Sequence, residues 1–547
     1  MKVKKSLKAG AMLLTLATVL AACGGNSSKA TTKSASDSTW TTMVGDVIST
    51  MDPSMSTDII SGQALSNTTE GLLRYSGADL QPALATSVPE ATNNGLTYTY
   101  HLRKSTWSNG TAVTAKDFVY SWQRTVDPAT KSQYAYLFSG IKNADAIMAG
   151  KAKASTLGVK AEGDDTLVVT LERAMPYFNT MLASPTFAPQ SQAFVEKAGS
   201  KYGHSSKYIL SNGPYILKDW NGTSDSWTSV KNPKYWNAKN VHIKTLQTKV
   251  VKDSATALNL YNTGKLDDAS LSGQQAAQAK SNKDYSALKQ SAVFYLEMNE
   301  KKDSFFKNTK IRQAISMILN RQQYISKVLN DGSIPATGVT PEGLAGDPDD
   351  TTKDFANEAA ESTKQYTTYN KKEAEKLFAE GLKETGNSSI SVSLLSDDTS
   401  AAKSTSQYLQ SALQTLDGLK VSITTVPFKT RLTRSQNGQF DMVVSGWSAD
   451  FPDPITFLDL FTSGNAYNDG KWSNAQYDKL IQESKTTYAT DATKRWATLL
   501  KAQELLTSEA GVIPVYQQVA SHLVNSKIKD LKFGPNGFYN YVGASIK

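Results

Sequence analysis

The sequence predicts an α/β protein with more than one domain. It has 547 residues, 39% of them hydrophobic, and about 500 residues of ordinary apolar content are too many for one core, so two or three domains are expected. Strand, helix, strand, helix and strand alternate over residues 390–445, which is typical of a doubly wound domain with parallel strands. The N-terminal half is instead predicted to consist mostly of strands and turns.

Two strands and one helix are predicted in the N-terminal half. Residues 96–102 (LTYTYHL) alternate between apolar and polar with a period of two, and residues 166–171 (TLVVTL) form a second strand candidate. Between them, residues 114–124 have helical spacing, which places Phe118 and Trp122 on one face.

Helices lead into the α/β region of the C-terminal half. Apolar residues at Ile311, Ile315 and Ile318 predict an amphipathic helix, and residues 330–332 (NDG) supply a later stop signal. A further helix is predicted over residues 371–383.

The α/β region itself contains three predicted strands and two connecting helices. The strands are residues 390–395, 421–426 and 440–445, with helices over about residues 401–416 and near Arg431. In such sheets, ligands bind in the crevice outside the carboxyl ends of the strands.

Candidate ligand contacts follow the third predicted strand, in the segment GWSAD at residues 446–450. Trp447 and Asp450 are therefore expected on the rim of the crevice. Asp453 is a predicted N-cap and Pro454 the first residue of a helix. A short loop held between a strand and a capped helix is the arrangement that a binding site needs.

The N-terminal residues predict secretion. Four lysines precede an apolar stretch over residues 9–22, and small residues stand directly before Cys23. This pattern predicts a signal peptide over residues 1–22. The apolar stretch is shorter than the approximately 20 residues that a spanning helix needs.

Residues 20–23 (LAAC) also resemble a bacterial lipobox, which implies cleavage before Cys23 and lipidation of that residue. Cys23 is the only cysteine of the chain, and a single thiol in a secreted protein requires such an explanation. Residues 23–39 are rich in Ser, Thr, Ala and Lys and are predicted to be a flexible tether. Loss of four lysines with the signal lowers the formal charge from +9 to +5, and no basic cluster indicates a nucleic-acid partner.

Catalytic chemistry is not expected. The chain has four histidines, His101, His204, His242 and His522, and none forms a metal-binding pair. No nucleophile elbow, phosphate loop or dinucleotide fingerprint is found. The enzyme alternative is a serine hydrolase of the penicillin-binding kind, because residues 286–289 (SALK) match SxxK, but the later KTG motif is missing. No catalytic residue, metal site or cofactor is therefore predicted.

Several ordered segments resemble one family. They are residues 96–110 (LTYTYHLRKSTWSNG), 113–124 (VTAKDFVYSWQR), 211–215 (SNGPY), 232–236 (NPKYW), 311–315 (IRQAI), 440–450 (FDMVVSGWSAD) and 512–516 (VIPVY). Together they resemble bacterial extracellular solute-binding proteins of the oligopeptide and dipeptide class (family 5), over nearly the whole mature chain.

The resemblance implies a two-lobed α/β fold of the periplasmic-binding-protein type, in which hinge strands let the lobes close over a ligand. It also implies an extra subdomain in the first lobe. The expected divisions are a first lobe of residues 40–71, 211–299 and 518–547, the extra subdomain 72–210, and a second lobe of residues 300–517.

The same resemblance implies a monomeric lipoprotein on the extracellular face of the cell membrane, anchored through Cys23. It would capture peptides and deliver them to the permease of an ABC transporter. Two alternatives remain open: a receptor for peptide pheromones, and a binding protein for another solute such as a metal chelate or a sugar.

The resemblance further implies how the ligand is held. Asp450 would pair with the free α-amino group of the peptide, because a buried ammonium requires a carboxylate. Main-chain groups from Gly446 to Ser448 would pair with the peptide backbone as an added strand does, and Trp447 would wall a side-chain pocket.

Three further positions are implied with less support from the residues. Tyr134 and Tyr516 match positions at which the family places tyrosines near the ligand. Some relatives have an arginine where this chain has Val444. Either Arg434 meets the peptide carboxylate instead, or the chain binds longer peptides whose C-terminus is not held.

Overall fold

A computed structural model describes residues 38–547. The predicted signal peptide 1–22, Cys23 and residues 24–37 of the predicted tether lie outside the described residues. Between residues 38 and 547, no helix has the length and apolar character needed to cross a membrane.

The strands are distributed over the whole described range. In chain order they are β1 (Thr39–Val44), β2 (Leu73–Ser76), β3 (Asp79–Pro82), β4 (Thr97–His101), β5 (Ser105–Thr106), β6 (Ala112–Val113), β7 (Val159–Glu162), β8 (Thr166–Thr170), β9 (Tyr215–Lys218), β10 (Ser226–Lys231), β11 (Thr245–Val250), β12 (Asp268–Leu271), β13 (Tyr285–Met298), β14 (Ile334–Pro335), β15 (Ile390–Asp397), β16 (Leu419–Val426), β17 (Met442–Ser448), β18 (Ile513–Val524), β19 (Ile528–Lys529), β20 (Lys532–Phe533), β21 (Tyr539–Asn540) and β22 (Ser545–Ile546).

The longer helices lie mostly in the C-terminal half. The α-helices are α1 (Ile59–Thr68), α2 (Ala115–Val126), α3 (Ala144–Met148), α4 (Phe178–Met181), α5 (Gln192–Ala198), α6 (Ser254–Asn262), α7 (Gly273–Ala279), α8 (Thr309–Met317), α9 (Arg321–Tyr324), α10 (Phe355–Thr367), α11 (Lys371–Glu384), α12 (Ser400–Leu413), α13 (Phe428–Gln436), α14 (Ile455–Leu458), α15 (Ala475–Lys485) and α16 (Ala492–Ser508). Short 3₁₀ turns occur at Gln133–Phe138, Ala154–Thr156, Pro185–Phe187, Gly199–Lys201, Ser206–Tyr208, Ala238–Asn240, Ser304–Lys307 and Asp459–Phe461, and a π-helical turn at Ile325–Leu329.

The predicted α/β unit is confirmed. β15 pairs in parallel with β16 on one side and with β17 on the other, so the chain crosses over in both directions, as a doubly wound sheet requires. β17 runs to Ser448, three residues beyond its predicted end. The reason is non-local, because antiparallel pairing with β13 continues to Ser448 opposite Ala292.

The large sheet joins this parallel unit to a long antiparallel part. Its strand order is β12-β18-β13-β17-β15-β16, and its longest strands are β13 with 14 residues and β18 with 12. The expected lobe boundaries after residues 299 and 517 fall just past the end of β13 and inside β18. Both expected boundaries therefore lie within or directly after a long strand of this one sheet.

The N-terminal half contains smaller sheets, as predicted. β4 pairs antiparallel with β8, and β1, β11, β10 and β9 form a separate four-stranded sheet. Helix α2 begins after Thr114, which forms a capping box with Asp117. Phe118 and Trp122 are fully buried, so the apolar face predicted for this helix is confirmed.

Candidate functional site

A cavity of about 270 Å³ lies at the carboxyl ends of the parallel strands. It meets the end of β15 at Asp397, the first turns of α13, and the end of β17. This is where a doubly wound sheet places its ligand site. From outside the sheet, the wall is completed by residues 57–59, Tyr134, Tyr467 and Phe538.

Asp450 presents a buried carboxylate to this cavity without a cationic partner. Its Oδ1 accepts a hydrogen bond from the Tyr134 hydroxyl at 3.0 Å, and its Oδ2 accepts one from the Thr456 hydroxyl at 3.2 Å. Burial raises the pKa of Asp450 to about 7, even though these hydrogen bonds lower it. No lysine, arginine or histidine of residues 38–547 pairs with this carboxylate.

Three aromatic rings enclose Asp450. The ring centroids of Trp447 and Tyr467 are 4.6 Å apart, and those of Tyr134 and Tyr467 are 5.6 Å apart. The indole N–H of Trp447 also lowers the pKa of Asp450, although it makes no hydrogen bond of good geometry with any group of residues 38–547. A carboxylate among aromatic faces is suited to an organic cation such as an ammonium group.

The strand that leads to Asp450 has one unpaired edge. β15 pairs with β17 only at Met442 and Val443, whereas β13 follows β17 to Ser448 on the other side. Among the described strands, none pairs with the remaining edge of β17 at residues 444–448. That edge, which includes Gly446 and Trp447, can therefore accept an extended chain as an added strand.

Gly446 is required by the packing beneath the cavity. A Cβ atom at this position would stand 3.0 Å from the Phe294 ring. Phe294 cannot move away easily, because it stacks on Tyr516 with a centroid separation of 4.8 Å and parallel planes. Tyr516 therefore does not line the cavity as expected. It lies behind Phe294 and supports it.

The arginine at the cavity is not the predicted one. Arg434 does not line the cavity, whereas Arg431, on the preceding turn of α13, does. Phe428, Leu432 and Gln436, spaced four residues apart on one face of α13, also line the cavity, whereas Arg434 lies midway between the last two and on the opposite face of the helix. The Nε of Arg431 donates to Asp397 Oδ1 at 3.1 Å.

Two acidic residues that the sequence analysis missed also line the cavity. Burial and the neighbouring Asp469 raise the pKa of Glu297 to about 8, and burial raises that of Asp469 to about 6. Glu297 stands inside the otherwise apolar part of β13, AVFYLEM. A charged residue within an apolar strand was a signal that could have identified it.

The far wall of the cavity was not predicted either. It consists of residues 57–59 and of Asn536 and Phe538 near the C-terminal end. Asp58 caps α1 by accepting the N–H groups of Ile60 and Ser61. No motif in these segments indicated a ligand contact.

Contacts across the cavity join parts of the chain that are distant in sequence. The Tyr134–Asp450 hydrogen bond spans 316 residues. Nearby, Tyr177 stacks on Phe451 with a centroid separation of 5.1 Å. On another side, the N–H of Phe428 donates to the Asp46 carboxylate at 2.6 Å, so the cavity is enclosed from several directions.

Comparison with known proteins agrees with this architecture. The sequence model described as bacterial extracellular solute-binding proteins, family 5 middle, matches residues 79–469. A dipeptide-binding protein of Lactococcus lactis subsp. cremoris is 38% identical over 518 residues, which cover 91% of this chain and 93% of the relative.

Solved structures give the same result. The structure of Listeria monocytogenes OppA bound to peptide is 40% identical with a TM-score of 0.88, covering 93% of this chain and 99% of that one. The pheromone receptor PrgZ, a structure that describes its mode of peptide binding, is 37% identical with a TM-score of 0.88, covering 93% and 100%. These similarities confirm the predicted two-lobed fold of the periplasmic-binding-protein type. The chain belongs to family 5 of the bacterial extracellular solute-binding proteins.

Proposed function

We propose that this protein captures peptides in the cavity at Asp450 and delivers them to the permease of an ABC importer. The observation that carries the proposal is the buried Asp450 carboxylate, which has no cation among residues 38–547 and lies within an aromatic enclosure. A peptide α-ammonium supplies the missing charge. The names of the relatives, a dipeptide-binding protein and a peptide-bound OppA, support this ligand class.

The peptide backbone is held by the open edge of β17. Among the strands of residues 38–547, none pairs with residues 444–448 on that side, so the N–H and C=O groups there can pair with an extended ligand. Such pairing is independent of side-chain identity. With the α-ammonium at Asp450, the peptide extends past Trp447 and Gly446 towards Ser445.

The contacts around the cavity fit a protein whose two lobes close over the ligand. We assign residues 40–71, 211–299 and 518–547 to the first lobe, 72–210 to its extra subdomain, and 300–517 to the second lobe. On this division, Lys252 of the first lobe pairs with Asp398 of the second at 2.8 Å. The Tyr134–Asp450 hydrogen bond joins the subdomain to the second lobe directly over the ligand site.

Calorimetry with tetraalanine and N-acetyl-tetraalanine tests the peptide assignment. Tetraalanine is expected to bind, and acetylation to weaken binding by about 30-fold or more, because it removes the charge that Asp450 meets. Equal affinity for both peptides would show that Asp450 does not recognise the α-ammonium. Binding of neither would overturn peptide capture itself.

A second candidate is reception of a peptide pheromone, which the similarity to PrgZ favours. The two roles differ in selectivity. A transport protein should bind tetraalanine and unrelated tetrapeptides with similar affinity, whereas a receptor should prefer one sequence by orders of magnitude. A sugar or metal chelate, the non-peptide alternatives, would bring no α-ammonium group to Asp450.

We also propose that the protein acts as a monomer on the extracellular side of the cell membrane, anchored by lipid on Cys23. The LAAC sequence at residues 20–23 supports this, as does the absence of any other cysteine. Two or more acyl chains give firm anchoring. Cys23→Ala should move the protein from the membrane fraction to the medium. Retention of that variant on the membrane would refute the lipid anchor.

A further inference from the structure

The cavity is lined by more carboxyl groups than one ammonium group can pair with. The acidic side chains that line it are Asp58, Glu297, Asp397, Asp450 and Asp469, against one basic side chain, Arg431. Two of these acids already have partners, since Asp58 accepts two backbone N–H groups and Asp397 pairs with Arg431 at 3.1 Å. Glu297 and Asp469 remain after Asp450 has met the α-ammonium.

Glu297 and Asp469 are buried side by side at one end of the cavity. Glu297 is 3% exposed and Asp469 is 9% exposed. Glu297 Oε2 accepts the N–H of Gly470 at 3.1 Å, which places the backbone next to Asp469 directly over β13. Asp469 Oδ1 is buried and has no hydrogen-bond partner among residues 38–547.

The position of the pair is fixed by close packing. A Cβ atom at Gly470 would lie 2.6 Å from the carbonyl oxygen of Met298, so only glycine lets the turn approach β13 this closely. Three residues before Gly470, Tyr467 packs against Trp447. One loop therefore contributes both to the enclosure of Asp450 and to the acidic pair.

No cation within the described residues balances the pair. Arg431 and Lys471 lower the pKa values of both acids, but no lysine or arginine of residues 38–547 has a nitrogen within 4.0 Å of either carboxylate. Arg431 is committed to Asp397. Lys471 is exposed.

We propose that Glu297 and Asp469 form a subsite for a lysine or arginine side chain of the bound peptide. The proposal deepens the peptide-capture function and depends on it. Val293 stands opposite Trp447 in the sheet, and Glu297 lies four residues farther along the same face of β13, about 13 Å away at 3.3 Å per residue. Measured from Trp447, an extended peptide covers this distance in about four residues.

The test is a scan of tetraalanine in which one residue at a time is replaced by lysine or by norleucine. The two replacements have side chains of similar length, and only lysine carries a charge. Calorimetry on the full chain in detergent at pH 7 should show lysine binding about tenfold more tightly than norleucine, or more, at one or two positions. At the remaining positions the two should be alike.

Three variants locate the effect. In Glu297→Gln and Asp469→Asn, the lysine-to-norleucine ratio should fall towards one. Asp303→Asn is the matched control, because Asp303 is also an acid whose pKa is raised to about 6, by burial and by Asp441, but it does not line the cavity. This control should keep the ratio of the wild-type protein.

Proton release gives an independent measurement. A cation entering the pair expels the proton that it holds at neutral pH, so lysine peptides should release more protons than norleucine peptides, as measured in two buffers of different ionisation enthalpy. Equal affinity for both peptides at all four positions would overturn the subsite while leaving peptide capture intact. Persistence of the lysine preference in the Glu297→Gln/Asp469→Asn double variant would overturn it too. Failure of every tetrapeptide to bind would overturn the proposed function and, with it, the subsite.

Discussion

Replacing the binding carboxylate, Asp450→Asn, should weaken peptide binding through charge alone. The amide keeps the size of the side chain and can still meet the hydroxyl groups of Tyr134 and Thr456. What it loses is the charge opposite the peptide α-ammonium. Removing one partner of a buried, hydrogen-bonded charge pair costs about 2–5 kcal/mol, which corresponds to an affinity loss of about 30-fold to several thousandfold.

Peptide affinity should also depend on pH through the ionisation of Asp450. The pKa of Asp450 is raised to about 7, and the peptide requires the ionised carboxylate. At pH 8 about nine in ten of these groups are ionised, and at pH 5 about one in a hundred. The α-amino group of the peptide, with an ordinary pKa of about 8, is charged in about half of the molecules at pH 8, so the affinity for tetraalanine should fall by about 45-fold from pH 8 to pH 5. In Asp450→Asn this part of the pH dependence should disappear.

The same substitution, Asp450→Asn, should stabilise the ligand-free protein although it weakens peptide binding. The folded protein binds the Asp450 proton more tightly than the unfolded chain does, so Asp450 makes unfolding easier as the pH rises from about 4 to 7. In the ligand-free protein at pH 8, Asp450→Asn should raise the free energy of unfolding by about 2–4 kcal/mol. This can be measured by chemical denaturation after removal of bound ligand.

The assay is titration calorimetry of tetraalanine between pH 5 and pH 8, with Asp303→Asn as the control for replacing a half-buried acid outside the cavity. The reasoning would be refuted if Asp450→Asn bound tetraalanine with the affinity and the pH profile of the wild-type protein. It would also be refuted if that variant destabilised the ligand-free protein at pH 8.

Three further predictions concern neighbouring contacts. Tyr134→Phe removes a hydroxyl group that lowers the pKa of the binding carboxylate, so the pH midpoint of tetraalanine binding should move upwards; an unchanged midpoint would contradict this. Gly446→Ala places a methyl group 3.0 Å from the Phe294 ring and should lower the free energy of unfolding by about 1–3 kcal/mol, which denaturation measures. Asp268 raises the pKa of His522 above 6.5, so this pair stabilises the fold fully below pH 6.5 and loses its contribution as the pH rises through the folded pKa. Denaturation from pH 6 to pH 9 should show that loss in the wild-type protein but not in Asp268→Asn.

Local patterns in the sequence predicted much of the fold. The parallel unit of β15, β16 and β17 follows from strand and helix periodicity over adjacent residues, and the position of Asp450 follows from the rule for strand ends. The end of β17 could not be predicted in the same way. Pairing with β13, more than 140 residues earlier in the chain, extends it to Ser448.

The errors at the site have a similar cause. Phe294, and not Tyr516, lines the cavity because the two rings stack on neighbouring strands. No local sequence pattern specifies which of two stacked rings reaches the cavity. Arg431 and Arg434 differ by one helical turn, and only the docking of α13 selects between them. Glu297 and Asp469 are 172 residues apart and meet only in the folded chain.

The most direct test of the central claim is denaturing mass spectrometry of the molecules that co-purify with the full chain. Peptides with free N-termini should be found on the wild-type protein and should be depleted on Asp450→Asn. A sugar, a metal chelate or N-terminally blocked peptides on the wild-type protein would contradict the account, because none of these brings an α-ammonium to Asp450.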